Sequence, residues 1–382
     1  PAAMGTNAES KEVSIVRDNI KLESQAAKSR TLDVDTDMGQ ARLGIIDLPS
    51  FYIDFDGRAN GDVNYRSTTR DVAQLIEELK QQEVDGIIID LRGNGGGSLE
   101  EVISLTGLFI DEGPVVQVRN SAGRIKTHSD KERGALYDGP LAVLVDRQSA
   151  SASEIFAGAI QDYRRGLIIG EPTFGKGTVQ NVLPLSAYAR EQFKDQLGQI
   201  KITIAQFFRV NGDSTQHRGV VPDIRLQLGY TDEEPFGERA YENALPWRRI
   251  DGSEYQMSTP SIDSAAVDYL RVRHADRIQE DAAFIAELDK YQLLARARQE
   301  KTVSLDKQQR EQKREQFGKQ LLEAENQIRL ANGETTYESY EQMQEAQEKE
   351  RDDRAFRRDV EIEVDPFIVE AGNILTDLMY LE

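Results

Sequence analysis

The segment Gly86-Ile-Ile-Ile-Asp-Leu91 is short, nearly all apolar and followed at once by a glycine-rich stretch. A strand with one wet face alternates polar and apolar side chains, so a strand without that alternation belongs in a sheet covered on both faces. Upstream, Arg42-Leu-Gly-Ile-Ile-Asp-Leu-Pro reads as a second buried strand. Between the two, Val72, Leu75, Ile76 and Leu79 follow the i, i+3, i+4, i+7 spacing of a helix, with Ser67 or Thr68 as its cap. Strand, helix and strand in this order predict a right-handed βαβ unit.

The alternation continues with a helix from about Leu99 to Phe109 and strands near Val115 to Arg119 and Leu141 to Val145. A helix from about Ser151 to Tyr163 and a strand at Leu167-Ile-Ile-Gly follow, then strand-like pairs around Val179 to Leu185 and Ile200 to Val210. This is the pattern of an α/β domain ending near residue 230. Between 301 and 360 the character changes, because 26 of 60 residues are Asp, Glu, Lys or Arg. Such a density is too polar for an independent core, so the region reads as helices solvated on most faces that dock by one stripe. At the other end, Val13-Ser-Ile-Val and Ile20-Lys-Leu alternate like one or two strands around a turn at Asp18-Asn19.

Composition removes several functions. A hydrophobic content of 38% in 382 residues allows one large core or two domains, and 30% charge excludes wholesale membrane insertion. No run approaches the roughly 20 apolar residues of a transmembrane helix. A net charge of −20 repels phosphate backbones, so nucleic acid is not an expected partner. The absence of cysteine removes disulfides, thiolate catalysis and thiolate metal sites. His128, His217 and His274 lie far apart in polar settings without metal-ligand spacing, and read as surface histidines; neither a metal centre nor a Ser-His pair is expected. The chain opens at Pro1 with no initiator Met and no cationic or apolar leader, so any targeting segment is expected to have been removed or left outside this sequence.

Two motifs carry chemistry. Asp146-Arg-Gln-Ser-Ala-Ser151-Ala-Ser-Glu-Ile opens a helix, and Gly170-Glu-Pro-Thr-Phe-Gly-Lys176-Gly-Thr-Val-Gln180 places a lysine between glycines, 25 residues after Ser151. A serine hydroxyl becomes a nucleophile when a base within hydrogen-bond reach takes its proton, and a lysine is such a base only when burial depresses its pKa. The competing readings are a plain helix cap by Ser151 or Ser153 and a plain surface lysine. The spacing from Gly170 to Lys176 also matches a phosphate-binding loop, but Gly177 stands where that loop needs Ser or Thr for magnesium, and Thr178-Val-Gln-Asn continues as a strand where it needs a helix. Leu91-Arg-Gly93-Asn-Gly95-Gly96-Gly97-Ser98 lies between a strand and a helix, where glycines let N–H groups converge on an anion. It fails the dinucleotide fingerprint because Ser98 holds the last glycine position, and a tight structural turn is the alternative.

Together, S-A-S-A-S-E-I, G-E-P-T-F-G-K-G-T-V-Q, Asp90-Leu-Arg-Gly-Asn-Gly-Gly-Gly and Ser214-Thr-Gln-His-Arg-Gly-Val-Val-Pro-Asp-Ile resemble the C-terminal processing peptidase family, in its tail-specific protease branch. The resemblance implies a crotonase/ClpP-like α/β peptidase core over residues 31–230 and a mainly helical C-terminal domain over 231–382. Residues 1–30 would be the end of a PDZ-like module and a linker, with most of that module and the N-terminal domain outside this sequence. It makes Ser151 the nucleophile and Lys176 the general base, with Gln180 orienting the lysine, Asp162 at an acidic position of the branch, and the N–H groups of Gly97 and Ala152 forming the oxyanion hole. The implied protein is a serine endopeptidase of a bacterial periplasm, without cofactor, acting on proteins with flexible apolar C-terminal tails and able to use a lipoprotein adaptor. The alternative is a catalytically inactive peptide-binding or scaffold protein with the same fold.

Overall fold

The buried strands expected from the sequence assemble into a six-stranded sheet in a computed structural model, which describes residues 26–188, 197–226, 236–300, 302–356 and 365–381. Its strands are β1 (Lys28–Asp35), β2 (Gln40–Asp47), β3 (Gly86–Asp90), β6 (Leu141–Val145), β7 (Leu167–Gly170) and β10 (Ile224–Arg225), adjacent in that order. Only β1 runs antiparallel to its neighbour; β2, β3, β6, β7 and β10 are parallel. The βαβ unit is present, with α2 (Thr68–Gln81) joining β2 to β3 and the Ser67 hydroxyl accepting from Arg70 N–H as its N-cap. Among the described residues, no helix is long and apolar enough to cross a membrane.

Because successive strand residues face opposite ways, each strand feeds two cores. Ile87, Ile89 and Val143 face one side, under α2, α3 (Leu99–Gly107) and α4 (Ala152–Asp162). Leu43, Ile45, Ile88 and Leu144 face the other. That second side is covered by α5 (Ser264–Arg277), α6 (Ala282–Gln299) and α9 (Pro366–Met379), which contribute Leu270, Phe284, Phe367, Ile374 and Leu375. At about 1.5–3 kcal/mol per buried large apolar side chain, both layers are needed to offset the ordering of the chain.

A smaller antiparallel sheet, β5-β4-β9-β8, stands beside the core, formed by β4 (Gly113–Asn120), β5 (Ile125–Asp130), β8 (Thr178–Pro184) and β9 (Gln199–Phe208). Beyond the core, α7 (Lys307–Ala331) packs on α6, and α8 (Tyr340–Phe356) packs on α7.

Three expectations change. First, β1 spans residue 30, so the boundary expected there falls inside the core sheet; the strands expected at Val13 to Val16 and Ile20 to Leu22 lie outside the described residues. Second, α7 has the solvated surface expected of the helical region, but α9 does not: ten of its fourteen residues are buried. The charge density of 301–360 stops short of Pro366-Phe-Ile-Val, and Asp365 caps the new helix by accepting from Phe367 and Ile368 N–H. Third, His274 is not a surface histidine. It is 5% exposed, with Nδ1 2.9 Å from Glu370 Oε1, in a charged seam between α5 and α9. There, Arg277 donates to Glu370 and Asp377 at 2.8 Å each, and Arg273 donates to Asp377 at 3.1 Å.

Candidate functional site

The parallel strands β3 and β6 end side by side, and the loops that leave their carboxyl ends meet, which is where open α/β sheets place their sites. After β6, Asp146 Oδ1 accepts from the N–H groups of Gly93, Gln148 and Ser149, and the Ser149 hydroxyl donates to Leu91 O at 2.8 Å. This stitching throws the chain sharply into α4. Ser151, the residue at the turn, has φ +58° and ψ −108°, a left-handed backbone that costs a non-glycine residue on the order of 1–3 kcal/mol and recurs at functional positions.

Lys176 comes from the loop after β7. Gly175, at φ +88°, lies so close to His217 that a Cβ would meet its carbonyl carbon at 2.9 Å, and Gly177 N–H donates to Gln216 Oε1 at 2.8 Å. Held on both sides, Lys176 reaches Ser151: Nζ is 3.4 Å from Oγ and 3.2 Å from Thr178 O. The first distance is long for a hydrogen bond, and it is the looser geometry common in sites without substrate. Burial pushes the lysine pKa below its ordinary value and the positive charge of Lys201 adds to this, while Glu238 and Glu154 pull it up. Lys176 and Glu238 line a cavity of about 350 Å³ with Phe174, Thr178, Gln180 and Thr203.

Glu154 is a functional residue that sequence reasoning passed over. It is fully buried, and its carboxylate accepts from Ser151 N–H at 2.8 Å, Gly175 N–H at 2.7 Å, Lys176 N–H at 2.9 Å and the Thr173 hydroxyl at 2.7 Å. One side chain therefore joins the serine turn to the lysine loop. Burial pushes its pKa up, to about 7, against the downward pull of these donors. Four donors aimed at two oxygens suit the carboxylate, since a protonated oxygen would bring a donor against a donor. The available signal was the capping box Ser151-x-x-Glu154.

On the facing loop, Gly96 packs so tightly on the serine turn that a Cβ there would stand 2.8 Å from Ser151 Cβ and 2.9 Å from Ala152 N. Gly97 has φ +152° and runs against Phe51, whose carbonyl accepts from Ser98 N–H at 2.8 Å. Ala152 is the first residue of α4, where N–H groups have no partner within the helix and the dipole favours negative charge. The glycine loop and the start of α4 thus meet at Ser151.

Two other expected residues sit differently. Gln180 shares the cavity with Lys176, but its amide donates to Thr203 Oγ1 at 3.5 Å, and the described contact that fixes the amine is Thr178 O. Asp162 is at the far end of α4, eleven residues from Ser151 and so about 16 Å along the axis. Its carboxylate takes Arg209 Nε at 3.0 Å and Asn211 Nδ2 at 2.8 Å. It ties α4 to the chain after β9 and touches neither Ser151 nor Lys176 in any described contact.

Residues 42–226 match the model of peptidase family S41, and residues 231–380 match that of the C-terminal domain of tail specific protease. The chain belongs to peptidase family S41, as a mixed α/β peptidase core followed by a helical region of the tail-specific protease type. It is 40% identical over 298 residues to a tail-specific protease of Haemophilus influenzae, covering 78% of this chain and 40% of that protein. It is 35% identical over 229 residues to a carboxy-terminal-processing protease of Bartonella bacilliformis, covering 60% and 45%. The chain therefore spans less than half the length of these curated relatives. A solved structure of a photosystem II D1 C-terminal processing protease is 32% identical, with a TM-score of 0.43 over 54% of this chain and 50% of that one.

Proposed function

We propose that this chain carries the catalytic part of a serine endopeptidase that uses a Ser151-Lys176 dyad. The observation that carries the reading is a partly buried lysine amine 3.4 Å from the hydroxyl of a strained serine at a helix start. Neutral Lys176 takes the proton as Ser151 Oγ attacks the scissile carbonyl carbon, and the N–H groups of Gly97 and Ala152 receive the oxyanion. The lysine then passes its proton to the departing amine as the C–N bond breaks, leaving an ester on Ser151. Water, deprotonated by the Lys176 amine, attacks the ester, and the lysine returns that proton to Ser151 Oγ as the acid product leaves. Gln180 completes the polar wall of the cavity beside the lysine.

The relatives are named tail-specific and carboxy-terminal-processing protease, which supports protein substrates engaged at their C-terminal ends; we propose that these ends are flexible, apolar tails. With bacterial relatives, we place the reaction in a periplasm, where a lipoprotein adaptor would deliver substrates. The test is labelling by a fluorophosphonate probe together with turnover of an unstructured protein ending in apolar residues. Labelling at Ser151, lost in Ser151→Ala and Lys176→Ala, is expected, and the double variant should be no slower than either single one. A wild-type chain that binds tails but neither labels nor cleaves would be the inactive binding protein instead.

A further inference from the structure

We propose that Asn94 is the positioning residue that selects which glycine N–H of the loop receives the oxyanion, an inference that rests on the peptidase reading above. Asn94 is completely buried, and every polar group it has is engaged. Its Oδ1 accepts from Gly96 N–H at 2.8 Å, and its Nδ2 donates to Leu48 O at 2.7 Å. Its main-chain carbonyl accepts from Ala150 N–H and from the Ser153 hydroxyl, both at 2.9 Å, and its own N–H donates to Leu91 O at 3.1 Å.

These contacts do two separate jobs. The main chain of Asn94 holds residues 150 and 153 on either side of Ser151 and Ala152, so the loop and the start of α4 move as one body. The side chain acts inside the loop: it occupies the Gly96 N–H, which leaves the next donor, Gly97 N–H, without a described partner. The Leu48 anchor fixes the amide plane and with it the direction of the Gly95–Gly96 peptide, one residue before the Gly97 donor. Without the side chain, Gly96 N–H competes for the oxyanion's place, and the Gly95–Gly96 peptide loses the hydrogen bond that sets its angle, leaving Phe51 N–H on Gly96 O at 3.0 Å as the described hold on the Gly97 donor. A donor moved from its place at an oxyanion costs about 10²–10³ in kcat while leaving ground-state binding nearly unchanged.

The test compares Asn94→Ala with Asn94→Ser, using kcat and KM on a peptide substrate, the rate of fluorophosphonate labelling and a thermal melt. A serine can still accept from the N–H two residues on, more weakly than asparagine. Asn94→Ala is expected to lower kcat and labelling by about a hundredfold or more with KM within about twofold, and Asn94→Ser to recover part of the loss. If Asn94→Ala does not fold, Asn94→Ser alone decides, with an expected loss confined to kcat. A folded Asn94→Ala with wild-type kcat, or a loss in either variant seen only in KM, overturns the inference. Failure of the peptidase reading looks different, because the wild-type chain itself would then neither label nor turn over.

Discussion

At the scale of single residues, the chemistry of the dyad proposed above turns on one proton. Burial and the nearby Lys201 charge hold the Lys176 amine below its ordinary range near 10.4, so its neutral, basic form becomes available at a lower pH than for a free lysine. The rate should therefore rise with pH and level off below the ordinary lysine range. Lys201→Gln removes one of the two downward influences and should move the midpoint to higher pH; Glu238→Gln removes an upward one and should move it lower. Rate profiles of the three proteins measured on one peptide check this, and coincident midpoints would contradict it. Ser151 and Lys176 were legible because each sits in a continuous motif. Glu154 and Asn94 lie in the same kind of motif, but their roles were not legible beyond the local capping box, since most of their partners come from other loops: Glu154 meets residues 173 to 176, and Asn94 meets Leu48, Ala150 and Ser153.

At the scale of elements, the seam between α5 and α9 depends on charge. Glu370 is raised by burial but lowered more by the hydrogen bonds of His274 and Arg277, and ends below the usual carboxylate range. A depressed carboxyl pKa contributes stability that is present above the unfolded value near 4.3 and is lost as pH falls through the folded value. Acid should thus loosen α9 first, and the decline of melting temperature between pH 5 and 3 should be shallower in Glu370→Gln. Glu370→Ala, which strands His274 and Arg277, should cost about 3–5 kcal/mol near neutral pH; a denaturant melt would show it. Strands β2, β3, β6 and β7 and helices α2 to α4 were readable because burial writes its period into their sequence. In contrast, β5 (Ile125-Lys-Thr-His-Ser-Asp) is polar and β1 (Lys28-Ser-Arg-Thr-Leu-Asp-Val-Asp) offers only Leu32 and Val34 as an alternating apolar pair, so both rest mainly on backbone pairing with β4 and β2.

At the scale of the whole molecule, the helical region is not an accessory to the peptidase core. One face of the central sheet is closed by α5, α6 and α9, and the strands beneath them carry the glycine loop and the serine turn at their ends. A shortened chain ending at residue 226 should expose Leu43, Ile45, Ile88, Leu144 and Ile169 together, bind a hydrophobic dye and aggregate. Its recovery as a monomer that does not bind the dye would show that the core stands alone. The order of the chain adds a further consequence. About 140 residues lie between the last strand of the sheet and the helix that closes it, a stretch that a ribosome takes roughly 7 to 28 s to make. Within that interval α5 and α6 emerge, but the part of the face that α9 covers stays open until the end. On the function proposed above, the site gains its full footing only after the far helix has emerged, so cutting would be switched on late in the chain's own synthesis.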